Sequence, residues 1–295
     1  MNLDYDTAWI IYNPVEARIK QKIKEKGVPL CDWNIRINFG IKTGFNDAFI
    51  ITTEQKNALI AEDPKSAEII RPILRGRDIQ RFSYDFANLW LICTFPSRHY
   101  NIDDYPAIKK YLLSYGIERL EQSGKRYIIA GREVKARKKT NNMWFETQDS
   151  INYWNDFSRQ KIIWKRIGSK LRFSYDNTGL LCLDSTCFAT GDGIEYLVAV
   201  LNSIMGNYLL KESPKTGTGD LIISVQALEP IRIPKLQEHD QEPYKELLAL
   251  ILERIAQGKD CEDLEYKLNS LVFDAYGLSV EERQYVIDFA TEAFR

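Results

Sequence analysis

Followed through its apolar and polar positions, the chain opens on a helix and then changes texture. Asn13-Pro14-Val15-Glu16 offers an Asn cap, a proline at the first helical position and an acid three residues after the cap. The helix it starts carries Ile19 and Ile23 on a thin apolar face and stops at Gly27, which predicts a helical connector over residues 1–33. From Trp33 short strand-like runs take over, at residues 34–39, 48–52, 89–95, 161–167, 171–175 and 180–183. In the run 161–167 Trp164 is in phase with Ile162, so it is expected to pack inward and Lys165 to face out. Residues 66–74 and 104–120 read as helices, the second with Ile108, Leu112 and Leu113 on one side. Residues 194–210, IEYLVAVLNSIMGNYLL, predict a nearly buried helix. Helices are then expected over 241–257 and 260–276, and a last one opens on the capping box Ser279-Val280-Glu281-Glu282.

Strands scattered in this way, without regular strand–helix alternation, predict an α+β fold with a mixed or antiparallel sheet. Strands cease and acidity rises near residue 236, which divides the chain into residues 34–235 and a small helical C-terminal region, 236–295.

A net charge of −1 over 295 residues conceals an asymmetry. Between Arg119 and Arg172 stand fourteen Lys and Arg against five Asp and Glu; between Leu236 and Arg295 the counts are six and fourteen. A basic segment in an acidic protein fits a polyanion contact confined to one face, or equally a surface stripe neutralised by the acidic tail. No apolar run approaches the ~20 residues of a membrane helix. The first residues lack the basic and apolar regions of a signal peptide. The five cysteines are an odd set at irregular spacing, which predicts buried free thiols in a reducing cytoplasm. With His99 and His239 the only histidines, a zinc site around Cys182 and Cys187 is not expected.

Four catalytic signatures fail on spacing. The stretch GIKTGFNDAFII, residues 40–51, has Lys42 before its second glycine, whereas a phosphate loop needs the lysine after it. No Gly-x-Ser-x-Gly elbow and no Gly-x-Gly-x-x-Gly after a strand is present. An amino-group methyltransferase wants Asn/Asp-Pro-Pro-Tyr/Phe, and Tyr12-Asn13-Pro14-Val15 lacks the second proline and the aromatic. A Mg²⁺ nuclease needs a carboxylate beside a lysine and a second, upstream acid. Glu133 and Lys135, with Asp103 or Asp104, are the only candidates, and a solvated charge run explains them as well.

Contact chemistry is better represented. Arg132, Lys135, Arg137, Lys138 and Lys139 lead into Thr140-Asn141-Asn142-Met143-Trp144-Phe145, and Trp164-Lys165-Arg166 follows. Lysine and arginine neutralise phosphates, and Arg and Asn form bidentate pairs with guanine and adenine edges. Trp144, Trp154 and Trp164 serve equally as core anchors. A second candidate is the loop SPKTGTGD, residues 213–220, where Lys215, Thr216 and Thr218 offer donors beside Gly217 and Gly219. It reads equally as a connector. Arg75-Gly76-Arg77-Asp78-Ile79 is a third, with a structural pair between Arg77 and Asp78 at a turn as the equal alternative.

Several of these segments together resemble the TaqI-like C-terminal specificity domain. That domain is the target-recognition part of type IIG restriction-modification enzymes and related DNA adenine methyltransferases. The matching stretches are GIKTGFNDAFII (40–51), IIRPILRGRDIQRF (69–82), YPAIKKYLLS (105–114), RQKIIWKRIG (159–168), YLVAVLNSIMGNYLL (196–210), LEPIRIP (228–234) and LEYKLNSLVFDAYGLSVEER (264–283), in the family's order. The resemblance implies sequence-specific binding of duplex DNA, with Lys42, Thr43 and Asn46 touching backbone phosphate. It also implies that an adenine is presented to a methyltransferase or nuclease module, fused upstream or separate. S-adenosylmethionine and Mg²⁺ belong to those modules, with no catalytic centre and no cofactor in this chain. Two rivals stand beside it: a free-standing Mg²⁺ nuclease, and a subunit whose acidic helical tail docks a methyltransferase.

Overall fold

In the computed structural model, residues 13–293 are described; residues 1–12, Tyr12 among them, lie outside the described part. Asn13 caps the first helix, Pro14–Lys26, its Oδ1 accepting from the Val15 amide at 2.9 Å. The chain divides into two compact units. One comprises Arg36–Ile167 with Arg172–Ile194; the other comprises the N-terminal segment through Ile35, Gly168–Leu171, and Glu195 onward.

The unit starting at Arg36 is built on two four-stranded sheets. In the first, the strands run in the order Phe173–Asp176, Lys161–Lys165, Thr186–Gly191, Ile35–Phe39. Trp164 stands opposite both Phe173 and Cys187 and is buried, and Lys165 is exposed, as expected, but the strand is buried on both faces up to Lys165, with Lys161 and Ile163 sealed as well. In the second sheet the order is Leu181–Cys182, Ile70–Leu74, Leu89–Ile92, Ile50–Thr52. A parallel pairing of Leu181 with Ile73 sits in it beside antiparallel neighbours, which makes the fold α+β with mixed sheets. One continuous core joins Ile73, Leu91, Ile92, Ile163 and Phe188, with Phe157 packed on Phe188 at a ring separation of 4.4 Å. Trp144 and Trp154 are half-buried against this core.

A charged pair is sealed inside this unit. The ammonium of Lys161 donates to Asp176 Oδ2 and, at 2.7 Å, to the Phe157 carbonyl, and both side chains have no solvent exposure. Asp176 also accepts from the Thr178 hydroxyl at 2.7 Å and the Leu180 amide at 3.1 Å. Every polar atom of the pair is matched, which is what makes such burial tolerable.

Two expected elements differ. Residues 66–74 form a short 3-10 helix, Pro64–Ile69, followed by the strand Ile70–Leu74; the isoleucines at 69, 70 and 73 and Pro72 favour extended backbone. Residues 104–120 form Pro106–Leu113 and Ile117–Leu120, parted at Gly116, where φ is +86°.

The second unit places the N-terminal helix among the C-terminal ones. Ile19 is buried there, Lys22 donates to Glu282 at 2.6 Å, and Lys211 donates to Glu16 at 2.6 Å. The strand Gly27–Pro29 pairs with Arg232–Pro234. The described part of the connector read over residues 1–33, from Asn13, is thus an integral part of the helical unit, which takes in residues from 195 rather than beginning at 236. The helices Glu238–Ala256, Glu262–Ala275 and Val280–Ala293 follow as expected, the last with its box bond from Ser279 N to Glu282 Oε2 at 2.7 Å. The apolar run 194–210 is divided at Ser203, whose hydroxyl caps Ile204–Leu209. Four cysteines are buried and Cys31 is exposed; burial pushes the Cys182 and Cys187 thiols up to about 12, so they stay protonated. Among the described residues no helix is long and apolar enough to cross a membrane.

Candidate nucleic-acid interface

The basic run between Arg119 and Trp144 folds as a hairpin standing on a polar root. Arg126–Ile129 pairs with Arg132–Lys135 as a two-stranded sheet of its own, turning through Ala130 and Gly131 at φ +47° and +76°. Positive φ at both turn residues is the geometry that matches the twist of a tight hairpin, and glycine adopts it at little cost. Below the strands the legs continue through main-chain bonds from Ala136 to Lys125, Gly124 to Arg137, and Arg137 to Glu121, each 2.9 Å.

Two buried polar side chains anchor these legs. Gln122 donates to the carbonyls of Met143 and Glu146, both at 3.1 Å, and accepts from Thr140 at 2.9 Å. Arg137 is only 4% exposed, and its guanidinium bonds to four main-chain oxygens. Nε reaches Leu120 at 2.7 Å, Nη1 reaches Thr43 at 3.1 Å and Glu146 at 2.7 Å, and Nη2 reaches Trp144 at 2.5 Å. Burial pushes its pKa down to about 10, with the Glu146 carboxylate opposing, so it remains a cation at neutral pH.

Arg137 therefore departs from its expected place on DNA: all of its reach is spent inside the fold. Thr43 is likewise buried, its hydroxyl donating to Asn46 Oδ1 at 2.6 Å and accepting from the Phe45 amide at 3.1 Å. Asn142 gives its amide hydrogens to the carbonyls of Thr147 and Gln148 at 3.2 and 3.0 Å. Arg75 forms a bidentate pair with Asp78, 2.7 Å at its shortest, and burial with that pair makes it an internal brace. The structural pair read at this turn is therefore not Arg77 with Asp78: Asp78 is taken by Arg75, and Arg77 is exposed. Sequence gives no separate signal for these four, because charge and residue type are the same whether a side chain points in or out.

The remaining candidates in this unit are exposed, Arg166 only in part, and, Asn46 apart, fall into two groups. Arg132, Lys135, Lys138, Lys139 and Asn141 lie on the hairpin and its descending leg. An open recess of about 430 Å³ lies at its foot, lined by Gln122, Lys125, Lys139, Thr140, Asn142 and Met143 among others. The second group surrounds the turn Asp184-Ser185. Ile41 accepts from the Asp184 amide at 3.0 Å, which sets Lys42 beside it. Arg166 donates to the Asp184 carbonyl at 3.1 Å, and the Gly76 amide donates to Ser185 Oγ at 3.0 Å, next to Arg77. The Lys165 stem lies along Gly76, 3.3 Å from where a Cβ would stand. Residues 40–51 owe their first glycine to this turn, since a Cβ at Gly40 would lie 2.0 Å from the Leu183 carbonyl oxygen.

Among the described residues none of Lys42, Arg77, Arg132, Lys135, Lys138, Lys139 and Lys165 is held in an ion pair. Other cations of both units do meet carboxylates: Arg36, Lys65, Lys109, Lys110 and Arg126 in this unit, and Arg18, Lys22, Lys211, Arg254 and Arg283 in the helical one. Lys215, Thr216 and Thr218 belong to the helical unit, where Thr216 and Thr218 bond to one another at 2.8 Å across an exposed turn.

Glu133, the centre of the nuclease alternative, is paired with Arg126 at 2.9 Å, and Asp103 with Lys109 at 2.5 Å. Among the described residues no three His, Cys, Asp or Glu side chains form a group able to hold a metal.

Residues 71–233 match the family described as the TaqI-like C-terminal specificity domain. The type II methyltransferase M.MjaIV of Methanocaldococcus jannaschii is 25% identical over 251 residues, 81% of this chain and 78% of that protein. Among solved structures, the Type IIL restriction-modification enzyme MmeI in complex with DNA shares the fold over 91% of this chain, with a TM-score of 0.59 at 14% identity. The type IIG restriction endonuclease BpuSI aligns over 89% of the chain, at 12% identity and a TM-score of 0.46. The chain spans 36% of the MmeI chain and 33% of the BpuSI chain.

Proposed function

Because the chain belongs to the TaqI-like C-terminal specificity domain family, we propose that it recognises a short sequence in duplex DNA as the specificity part of a restriction-modification enzyme. The observation that carries this reading is the set of exposed, unpaired cations on the hairpin and around Asp184-Ser185, fixed to one frame by buried Arg137. Cations left without carboxylates are available to phosphate, where each contact releases counterions and adds affinity. Arg132 among them supplies the paired donors, and the neutral Asn141 beside them the donor and acceptor, that base edges require.

In this reading the chain breaks no bond itself. It positions an adenine for a methyltransferase module, with nuclease action from a further module, and those modules hold S-adenosylmethionine and Mg²⁺. Methylation of a base in a duplex requires flipping it out, and a specificity domain that grips the flanking duplex holds it for that step. The likeness to a methyltransferase over 78% of its length supports a second reading, methyl transfer by this chain. Against it, Asn13 spends its side chain capping the first helix.

One experiment tests both. The purified chain is mixed with a randomised duplex pool, and bound duplexes are sequenced over rounds of selection. Enrichment of one short site at low salt is expected, and failure of any sequence to enrich would remove the proposal. Labelled S-adenosylmethionine added to the enriched duplex is expected to leave it unlabelled; label in adenine would establish the second reading.

A further inference from the structure

The hairpin carries a feature that phosphate binding does not explain. Directly opposed residues of an antiparallel pair share a face, so Arg126, Ile128, Glu133 and Lys135 form one face, and Tyr127, Ile129, Arg132 and Val134 the other. The second face leans on the body at its base, where Tyr127 and Val134 are half-buried and the Tyr127 hydroxyl donates to Glu121 at 2.6 Å. The first face is open along its length, and Ile128 at its far end is 75% exposed. Ile129, at the turn, is 41% exposed. Threonine would serve the strand as well at position 128 without presenting a purely apolar side chain to water.

The surroundings of Ile128 specify its occupant. Arg126 and Lys135 stand on the same face and Arg132 beside it at the tip, a setting for a polyanion. Glu133 would repel phosphate, but Arg126 engages it at 2.9 Å and leaves an acceptor among the donors. Donor, acceptor and apolar groups side by side match base edges, where guanine offers N7 and O6, cytosine an amino hydrogen, and thymine a C5-methyl. Width selects the groove. A two-stranded ribbon, with strands about 4.8 Å apart and side chains on either side, enters the ~12 Å major groove but not the ~6 Å minor groove.

We propose that the hairpin Arg126–Lys135 is a β-ribbon that enters the major groove of duplex DNA, with Ile128 against a thymine C5-methyl group. This rests on the DNA-recognition reading above and adds the reading element, the groove and one base contact. Ile128 then determines specificity at one position, and Arg137 and Gln122 act as positioning residues that hold the ribbon at its root.

The test uses the full 295-residue chain and the duplex enriched from the randomised pool. That duplex is resynthesised with uracil in place of each thymine in turn, a change that removes only the major-groove methyl. For the parent chain, uracil at one or two positions is expected to weaken binding about 3- to 5-fold, the worth of one buried methyl. The I128A variant is expected to bind the unmodified duplex weaker by a similar factor and to be indifferent to uracil there. Its thermal unfolding should match the parent's, since the side chain is exposed. A parent indifferent to every uracil, or an I128A variant that keeps the parent's affinity and sensitivity, would overturn the proposal and assign the tip to a protein contact. If no duplex enriches, it is the DNA-recognition reading that fails, and the ribbon with it.

Discussion

The guanidinium of Arg137 donates to the main-chain carbonyl of Thr43 at 3.1 Å, joining the loop that carries Lys42 to the root of the basic hairpin. The two segments are nearly a hundred residues apart in sequence, and each holds exposed cations. Because the donor is a rigid planar fork, the bond fixes orientation as well as distance. Further bonds tighten the same junction: the Gln148 amide donates to Thr43 O at 3.1 Å, and the Lys42 amide to Asp149 Oδ2 at 3.1 Å. Contacts displayed on flexible loops would lose entropy on binding; here much of that ordering is already built into the free protein.

Arg137→Ala is expected to destabilise the chain by about 3–5 kcal/mol, because it strips four main-chain oxygens of a buried, charged donor. Arg137→Lys should recover only part, since an ammonium cannot span the same four acceptors. Lys138→Ala and Lys139→Ala, neighbours of equal charge but exposed, should stay within about 0.5 kcal/mol of the parent. Urea unfolding of the four variants separates a structural arginine from surface lysines.

Gly40→Ala is expected to cost more than an ordinary glycine-to-alanine change. The new Cβ would sit 2.0 Å from the Leu183 carbonyl oxygen, well inside contact distance, so the backbone must part. The bonds lost first would be Ile41 N to Cys182 O at 2.7 Å and Gly40 N to Thr186 O at 3.0 Å. A loss of about 2 kcal/mol or more in urea unfolding is expected, with duplex affinity falling further than the loss of folded chain accounts for.

The α+β class, the Asn13 cap and the three C-terminal helices were legible because each is governed by local periodicity or capping; Trp164 and Lys165 are buried and exposed as expected although their strand is buried on both faces up to Lys165. The hairpin was legible in principle: Tyr127-Ile128-Ile129 and Val134 flank Ala130-Gly131, a turn signal between β-formers, but the surrounding charge obscures the alternation. The direction of Arg137 was not legible, because its partners are carbonyls from four distant positions and main-chain oxygens leave no mark in sequence. The same holds for the union of the first helix with the last, set by Ile19 and by Lys22 with Glu282. In residues 69–74 the sheet register overrode a helical reading, with Ile70 opposite Ile92 and Pro72 opposite Trp90.

The pair Lys161 and Asp176 yields a pH-dependent prediction. Burial alone pushes the Asp176 carboxyl up, but Lys161 and the Thr178 donors outweigh it and hold it below the usual carboxylate range. A carboxyl depressed in the folded state stabilises the fold fully above its unfolded pKa, about 3.9, and that contribution is lost as pH falls through the folded value. Lys161→Met removes the pull and keeps the burial, so it should cost about 3–5 kcal/mol at pH 7 and less at pH 4, where the orphan acid protonates. Adding Asp176→Asn should restore much of the loss at pH 7. Urea midpoints at the two pH values, for parent, single and double variants, check each sign.

Salt dependence separates phosphate contacts from base contacts. Binding that neutralises phosphates weakens linearly on a log–log plot against salt, with a slope of about −0.9 per phosphate on duplex DNA. Lys139→Ala removes one exposed, unpaired cation at the foot of the hairpin, so it should weaken every duplex alike and reduce the slope by about one. Asn141→Ala removes no charge; if Asn141 reads an adenine edge, the slope should stay and discrimination at one position should fall by about 1–3 kcal/mol. Arg132→Ala, at the tip of the ribbon, should do both, because a guanidinium in the groove meets a guanine edge within the field of the flanking phosphates. Titrations of the enriched duplex and a scrambled one at four salt concentrations distinguish the three patterns. A Lys139 variant that loses affinity only for the enriched duplex would move that lysine from the backbone to a base.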